Sequence, residues 1–150
     1  MAPMELRRVR LSDDEARPLL ADLAREYEAR YGPGDEMAST SPEEFDPPDG
    51  AFLILTEDGT TIAGGGIRRL SGDTCEVKRM WTAPGHRRRG HASAVLKALE
   101  DVARSLGYSR IRAETGPAQP EAVALYRSHG YGDIPCYGPY DAALAFELRL

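Results

Sequence analysis

Between Glu76 and Ala92 the chain reads Glu-Val-Lys-Arg-Met-Trp-Thr-Ala-Pro-Gly-His-Arg-Arg-Arg-Gly-His-Ala, and most of the residues able to do chemistry fall there. A β-branched and aromatic run ends at the Pro84-Gly85 turn. Three arginines, a glycine and a small residue then open an apolar-periodic helix. A strand that empties through glycine into a helix N-terminus leaves several backbone N–H groups without partners, pointing one way. The helix dipole adds roughly half a positive charge at the same place, so the junction is a site for a phosphate-like anion. Arginines at a helix start oppose that dipole unless an anion lies beside them. Arg87, Gly90 and Ala92 form Arg-x-x-Gly-x-Ala. That is neither the Gly-x-Gly-x-x-Gly of a dinucleotide fold nor a P-loop ending in Gly-Lys-Ser/Thr.

The full pattern, Met80-Trp81-Thr82-x-Pro84-x-x-Arg87-x-x-Gly90-x-Ala92, closely resembles motif A of the GNAT superfamily of acetyl-CoA-dependent N-acetyltransferases. A second segment, Gln119 to Tyr131, resembles that family's signature Asn-x-x-Ala-x-x-Leu-Tyr-x-x-x-Gly-Phe/Tyr, with Gln119 where asparagine is usual. The resemblance implies that Arg87, Arg88, Arg89, Gly90, His91 and Ala92 wrap the pyrophosphate of coenzyme A, chiefly through backbone N–H groups. His91 stands where an aliphatic residue is usual, and Ala92 replaces the commoner final glycine. It also implies that the backbone of Met80, Trp81 and Thr82 pairs with the pantetheine arm where the strand splays, with the Met80 N–H facing the thioester oxygen. The Gln119 amide would contact pantetheine, and the Tyr126 hydroxyl would sit near the sulfur and protonate the leaving thiolate.

Acetylating an amine needs a base. A lysine-like amine has pKa about 10.4, so its free base at pH 7 lies roughly 4.6 kcal/mol uphill. Glu76, six residues before Thr82, stands where the histone acetyltransferase branch carries a glutamate that deprotonates the amine directly or through water. The competing structural reading makes Glu76 the partner of Lys78, Arg79 or another strand cation. Glu114, late in the next strand, is the second candidate base. Cys75 and Cys136 have no neighbouring His-Asp arrangement, which argues against a cysteine nucleophile.

Around these residues the elements follow from periodicity and turn chemistry. Leu6–Arg10 reads as a strand, and Ser12-Asp13-Asp14-Glu15 matches a capping box, but Pro18 suits a main helix that begins there, after a separate turn, and ends at Gly32 and Pro33. Ser41-Pro42-Glu43-Glu44 suits a short helical turn. Strands at Ala51–Thr56, Thr61–Leu70 and Thr74–Thr82 are joined by Glu57-Asp58-Gly59-Thr60 and Ser71-Gly72-Asp73. A helix from about Arg89 to Leu106 carries the stripe Ala92, Val95, Leu96, Leu99, Val102, Ala103 and Leu106. A strand at Arg110–Thr115, a helix from Pro120 to His129 and strands near Tyr131 and over Ala143–Leu150 complete the order. Gly64-Gly65-Gly66 precedes no helix and reads as a bulge or close-approach point. Ile134 to Tyr140 forms a loop from which Tyr137 and Tyr140 could line an acceptor cleft.

The order is that of an α+β fold. The resemblance implies the GNAT arrangement over the whole chain: a mixed, mostly antiparallel sheet of about seven strands, splayed at the fourth and flanked by about four helices. At 150 residues we expect a single domain burying roughly 70% of its unfolded surface. No apolar run is long enough to cross a bilayer, and the N-terminus lacks an apolar signal region, so a cytoplasmic protein without membrane partners is expected. The histidines lack metal-ligand spacing, and no metal is expected.

Six acids and no Lys or Arg fall between residues 32 and 50, so the chain outside that segment carries +1 rather than −5. That balance argues against nucleic-acid binding through Arg87–Arg89. The acidic segment is expected to be either a solvated loop or a wall attracting a cationic amine. The expected activity is transfer of an acetyl group from acetyl-CoA to a primary amine, a small amine or amino acid in preference to a protein lysine or N-terminus. A non-catalytic acyl-CoA-binding regulator is the rival from another class, and the fold admits a homodimer.

Overall fold

The computed structural model describes residues 3–32, 40–139 and 142–150. Its strands are β1 (Met4–Val9), β2 (Ala51–Glu57), β3 (Thr60–Ser71), β4 (Thr74–Thr82), β5 (Arg110–Thr115), β6 (Gly132–Ile134) and β7 (Leu144–Arg149). They form one sheet in the order β1-β2-β3-β4-β5-β7-β6, antiparallel throughout except for the parallel pair β4/β5. Three α-helices pack on it: α1 (Arg17–Tyr31), α2 (His91–Ser105) and α3 (Pro120–Ser128). In place of a fourth helix, among the described residues, stand short 3-10 turns such as Pro42–Phe45, which carries the Ser41/Glu44 capping box.

The capping box expected at Ser12–Glu15 does not form. A separate 3-10 turn, Asp14–Ala16, precedes α1, and the Asp13 carboxylate accepts the Arg10 N–H instead. Pro18 explains the break: it sits within the first two positions of α1, where its missing N–H costs nothing. The Asp58-Gly59 turn joins β2 to β3 with positive φ at both residues, 51° and 80°, as a type I′ hairpin requires. Gly107 and Gly130, also left-handed at φ 91° and 85°, stop α2 and α3.

The core lies on both faces of the sheet. Leu53, Ile67, Val77, Ile111 and Phe146 pack with Val95, Leu96 and Leu99 of α2. Phe45, Phe52, Ile54 and Trp81 pack with Leu19 and Leu23 of α1. The glycine triplet makes this closeness possible. A Cβ on Gly64 would lie 2.7 Å from Leu19 Cδ1, one on Gly65 2.3 Å from Met80 Sδ, and one on Gly66 2.6 Å from both Phe45 and Phe52. The triplet also faces a bulge: Gly66 pairs with Lys78 and Gly64 with Trp81, so Gly65 alone spans Arg79 and Met80. Arg79 takes the left-handed φ of 62° that the extra residue demands.

The feature that positions the site is a parting of strands. β4 and β5 pair only from Thr74↔Arg110 to Val77↔Ala113. Beyond that point β4 runs on to Thr82 and β5 to Thr115 as the bulge turns β4 away.

Candidate active site

A cleft of about 800 Å³ opens where β4 and β5 part. Glu76, Lys78, Arg79 and Met80 of β4, Glu114 and Thr115 of β5, Gln119 and Tyr126 at α3, Tyr27 and Tyr31 of α1, and Tyr137 all line it. It thus gathers Glu76, Met80, Gln119 and Tyr126 into one space, with the second candidate base, Glu114, beside them.

Glu76 is only 5% exposed. Its Oε1 accepts from Arg68 Nε at 3.0 Å and lies 3.8 Å from Lys78 Nζ, while its Oε2 accepts the Tyr137 hydroxyl at 2.6 Å. Arg68 in turn reaches Glu44 at 2.9 Å. The strand-cation reading of Glu76 therefore holds for Arg68, on the neighbouring strand. A carboxylate offers about four lone-pair sites, so Oε2, which accepts only the Tyr137 hydroxyl among the described residues, keeps capacity for one more donor. Burial, then the charge of Glu76 and its hydrogen bond, push the Tyr137 phenol strongly upward, so it remains a donor.

Glu114 does different work. Its Oε2 accepts the backbone N–H groups of Tyr137 at 3.2 Å and Gly138 at 3.0 Å, and the Cys136 thiol at 3.4 Å. It anchors the loop that carries Tyr137. Tyr140 lies outside the described residues.

Tyr126 is 5% exposed, its ring against Tyr131 and Phe146 with centroids 5.4 and 5.8 Å away. Burial first, then Tyr27 and Glu76, raise its phenol well above 10, so it stays protonated. Gln119 stands at the N-cap position of α3 without a side-chain capping bond, and its Oε1 accepts from Tyr31 at 3.0 Å and Thr115 at 3.1 Å, which leaves its NH2 group without a described acceptor. The Trp81 side chain lies away from the cleft, in the core beneath α1, with Nε1 donating to Asp22 at 2.6 Å. Any contact it makes to a ligand on the splayed edge is through its backbone.

The arginine loop divides its labour. Arg87 donates from Nε to the Thr82 carbonyl at 3.0 Å and pairs with Glu26 of α1, fastening the loop to the fold. Arg88 and Arg89 are exposed and make no ion pair among the described residues. The helix begins at His91 rather than Arg89, because Arg88 and Gly90 hold left-handed φ of 63° and 82° that a helix cannot propagate. Ala94 N–H to Gly90 O, at 3.1 Å, is the first bond of α2, so the N–H groups of His91, Ala92 and Ser93 have no acceptor within the helix. His91 replaces an aliphatic residue at a cost: its Nε2 and His86 Nδ1 are buried without partners, the two rings 6.4 Å apart.

Three of the four acids described between residues 40 and 50 pair with arginines. Glu44 pairs with Arg68, Asp46 with Arg10 at 3.8 Å and Asp49 with Arg69 at 3.1 Å. Asp35 and Glu36 lie outside the described residues.

The profile of the acetyltransferase (GNAT) family matches residues 17–131. The chain belongs to the GNAT family. This GNAT protein is 31% identical to an uncharacterised N-acetyltransferase of Escherichia coli K12, YjgM, over 97% of its own length and 92% of that protein. Its fold matches an acetyltransferase of the GNAT family from Staphylococcus aureus (12% identity, 98% of this chain and 99% of that one, TM-score 0.81). It also matches the PaiA N-acetyltransferase of Thermoplasma acidophilum, solved with coenzyme A (17% identity, 99% of each chain, TM-score 0.76). As a GNAT enzyme it is an acyl-CoA-dependent N-acyltransferase, and acetyl-CoA is the family's acetyl donor.

Two features of this GNAT chain fit that donor. The edge of β4 after Val77 has no pairing with β5, and the start of α2 offers amide donors with no acidic residue in its first turn. Among the described residues, no helix is long and apolar enough to cross a membrane. The roles of Tyr137 and Arg68 were the readings least available from local pattern. Only the Pro135-Cys136-Tyr137-Gly138-Pro139 punctuation signalled a rigid loop worth placing.

Proposed function

We propose that the enzyme transfers an acetyl group from acetyl-CoA directly to a primary amine, a small amine or amino acid rather than a protein lysine or N-terminus. The observation that carries this reading is the convergence of Glu76 and Tyr126, both 5% exposed, on the cleft that opens at the β4/β5 parting. A base that buried suits an acceptor small enough to enter, since a side chain on a folded protein must bring its own backbone to the cleft mouth.

In this reading Glu76 takes the amine proton at the open position on Oε2, while Arg68 and Tyr137 fix its carboxylate. The Met80 N–H lies at the bulge, where β4 leaves β5, and polarises the thioester carbonyl. Arg88 to Ala92 hold the pyrophosphate through loop and first-turn amides, and the Gln119 NH2 group steadies the pantetheine arm. Acetyl-CoA supplies the activated acyl group and a thiol leaving group. Tyr126 donates a hydrogen bond to the departing sulfur. Burial keeps its phenol protonated, so it is present as a donor.

Two facts favour direct transfer over an acyl-enzyme. Burial pushes the Cys75 thiol up to about 12, and the Cys136 thiol donates to the Glu114 carboxylate, which does not favour a thiolate. The test is incubation with acetyl-CoA and a mixed amine library, with thiol release and product masses read together. Acetylated amines and intersecting initial-velocity lines are expected. Coenzyme A binding without any acetylated product supports the non-catalytic regulator instead.

A further inference from the structure

The charges lining the cleft do not suit a simple amine. Three cations, Arg68, Lys78 and Arg79, face two carboxylates, Glu76 and Glu114. Both carboxylates are well served, Glu76 by Arg68 and Tyr137 and Glu114 by two backbone amides. Arg68 is shared between Glu76 and Glu44, and Arg79 donates to the Thr40 carbonyl at 3.1 Å and lies over the Phe45 ring. Lys78 differs. Its side chain is only 27% exposed, and its sole ion-pair contact among the described residues is the long 3.8 Å approach to Glu76 Oε1, an oxygen already held by Arg68.

A lysine whose stem is mostly covered while it lines the cleft, with so weak a partner for its ammonium, is available to an anion on a ligand. Glu76 and Lys78 stand two residues apart on β4, before the bulge, and so project from the same face. They set a negative and a positive charge side by side. The complement of that arrangement is a zwitterion whose amine and carboxylate share one carbon.

We infer that the acceptor is an amino acid with a free carboxylate, and that Lys78 receives the carboxylate while Glu76 faces the amine. This rests on the acetyl-transfer reading of the cleft and narrows its substrate class. Polyamines and lysines in basic peptides are disfavoured, since each carries a further cation towards Arg68 and Lys78.

The test compares the common L-amino acids with their carboxamides, together with spermidine and a lysine-containing basic peptide. Thiol release is followed for the wild type, Lys78→Met and Lys78→Arg. For the best-used amino acid, the wild type is expected to favour the free acid over its carboxamide by at least about tenfold in kcat/KM, about 1.4 kcal/mol. Lys78→Met should remove most of that preference through KM, and Lys78→Arg should restore much of it, which a purely structural role for Lys78 would not produce. Equal use of acid and carboxamide, preference for spermidine or the basic peptide, or a preference that survives Lys78→Met would overturn the inference while leaving acetyl transfer intact. If the wild type binds coenzyme A yet acetylates none of these acceptors, the transferase reading fails and this inference with it.

Discussion

The Tyr137 hydroxyl donates a 2.6 Å hydrogen bond to Glu76 Oε2 across 61 residues of sequence, tying the loop before β7 to the middle of β4. Glu114 fixes the backbone of the same loop, so two carboxylates on adjacent strands hold one tyrosine in place. Hydrogen bonds to charged groups contribute about 1.5–3 kcal/mol. Tyr137→Phe should therefore lower kcat/KM by about tenfold or more, with coenzyme A affinity retained. Gly138→Ala should act in the same direction, because its Cβ would lie 2.2 Å from Glu114 Oε1. Steady-state kinetics of the two variants, beside their coenzyme A titrations, checks both.

The glycine triplet separates stability from activity. A methyl on Gly66 meets two buried rings, and overpacking of that kind costs about 1–3 kcal/mol. On Gly65 it clashes with the sulfur of Met80, near the end of a flexible side chain, and otherwise makes ordinary contact with Leu99 Cδ1 at 3.5 Å. Gly66→Ala should lower the urea midpoint markedly. Gly65→Ala should fold nearly as well as the wild type and lose activity as the shift of Met80 carries its backbone N–H at the bulge out of line.

Alkaline pH should unfold the protein early. Desolvation by burial, partly opposed by the backbone hydrogen bond and Arg69, raises the Cys75 thiol from its ordinary 9.0 to about 12. The native state thus keeps a proton that the unfolded chain releases above pH 9. The sign follows: this contribution is complete below pH 9 and is lost as pH climbs towards 12. The buried phenol of Tyr131, bonded to Glu100 at 2.8 Å, is raised as well and adds to the loss. Urea midpoints should hold steady from pH 7 to 8.5 and fall steeply from pH 9.5. Thiol titration at pH 8 should find Cys136 promptly and Cys75 only after unfolding.

Arg88 and Arg89, without ion pairs among the described residues, should serve the ligand rather than the fold. The double change Arg88→Ala, Arg89→Ala is expected to weaken coenzyme A binding about tenfold at low salt and flatten its salt dependence. Arg87→Ala should lower thermal stability too, because Arg87 bonds the Thr82 carbonyl and Glu26. Titration calorimetry at two ionic strengths, with melting curves, distinguishes the Arg88/Arg89 pair from Arg87.

Local chemistry made much of this legible in advance. The Asp58-Gly59 hairpin, the stripe of α2, the stops at Gly107 and Gly130 and the close approach at Gly64–Gly66 each follow from one residue type meeting one backbone need. The strand-to-helix junction was equally plain, although two left-handed residues delay the helix to His91. What the sequence hid lies between distant elements. Nothing near Arg68 announces its bond to Glu76, and nothing near Arg87 points to Glu26 on α1. The acids after Gly32 read as either a solvated loop or a wall for a cationic amine, and Glu44, Asp46 and Asp49 find arginines that only the folded sheet brings within reach.

The most direct test is Glu76→Gln, which keeps the side chain's shape and can still accept from Arg68, with its NH2 group donating to the Tyr137 oxygen, but removes the proton acceptor. With coenzyme A affinity measured by calorimetry and acetyl transfer by product mass, we expect binding within about twofold of wild type and turnover lower by at least about a hundredfold. Turnover within a few-fold of wild type would show that Glu76 does not take the amine's proton.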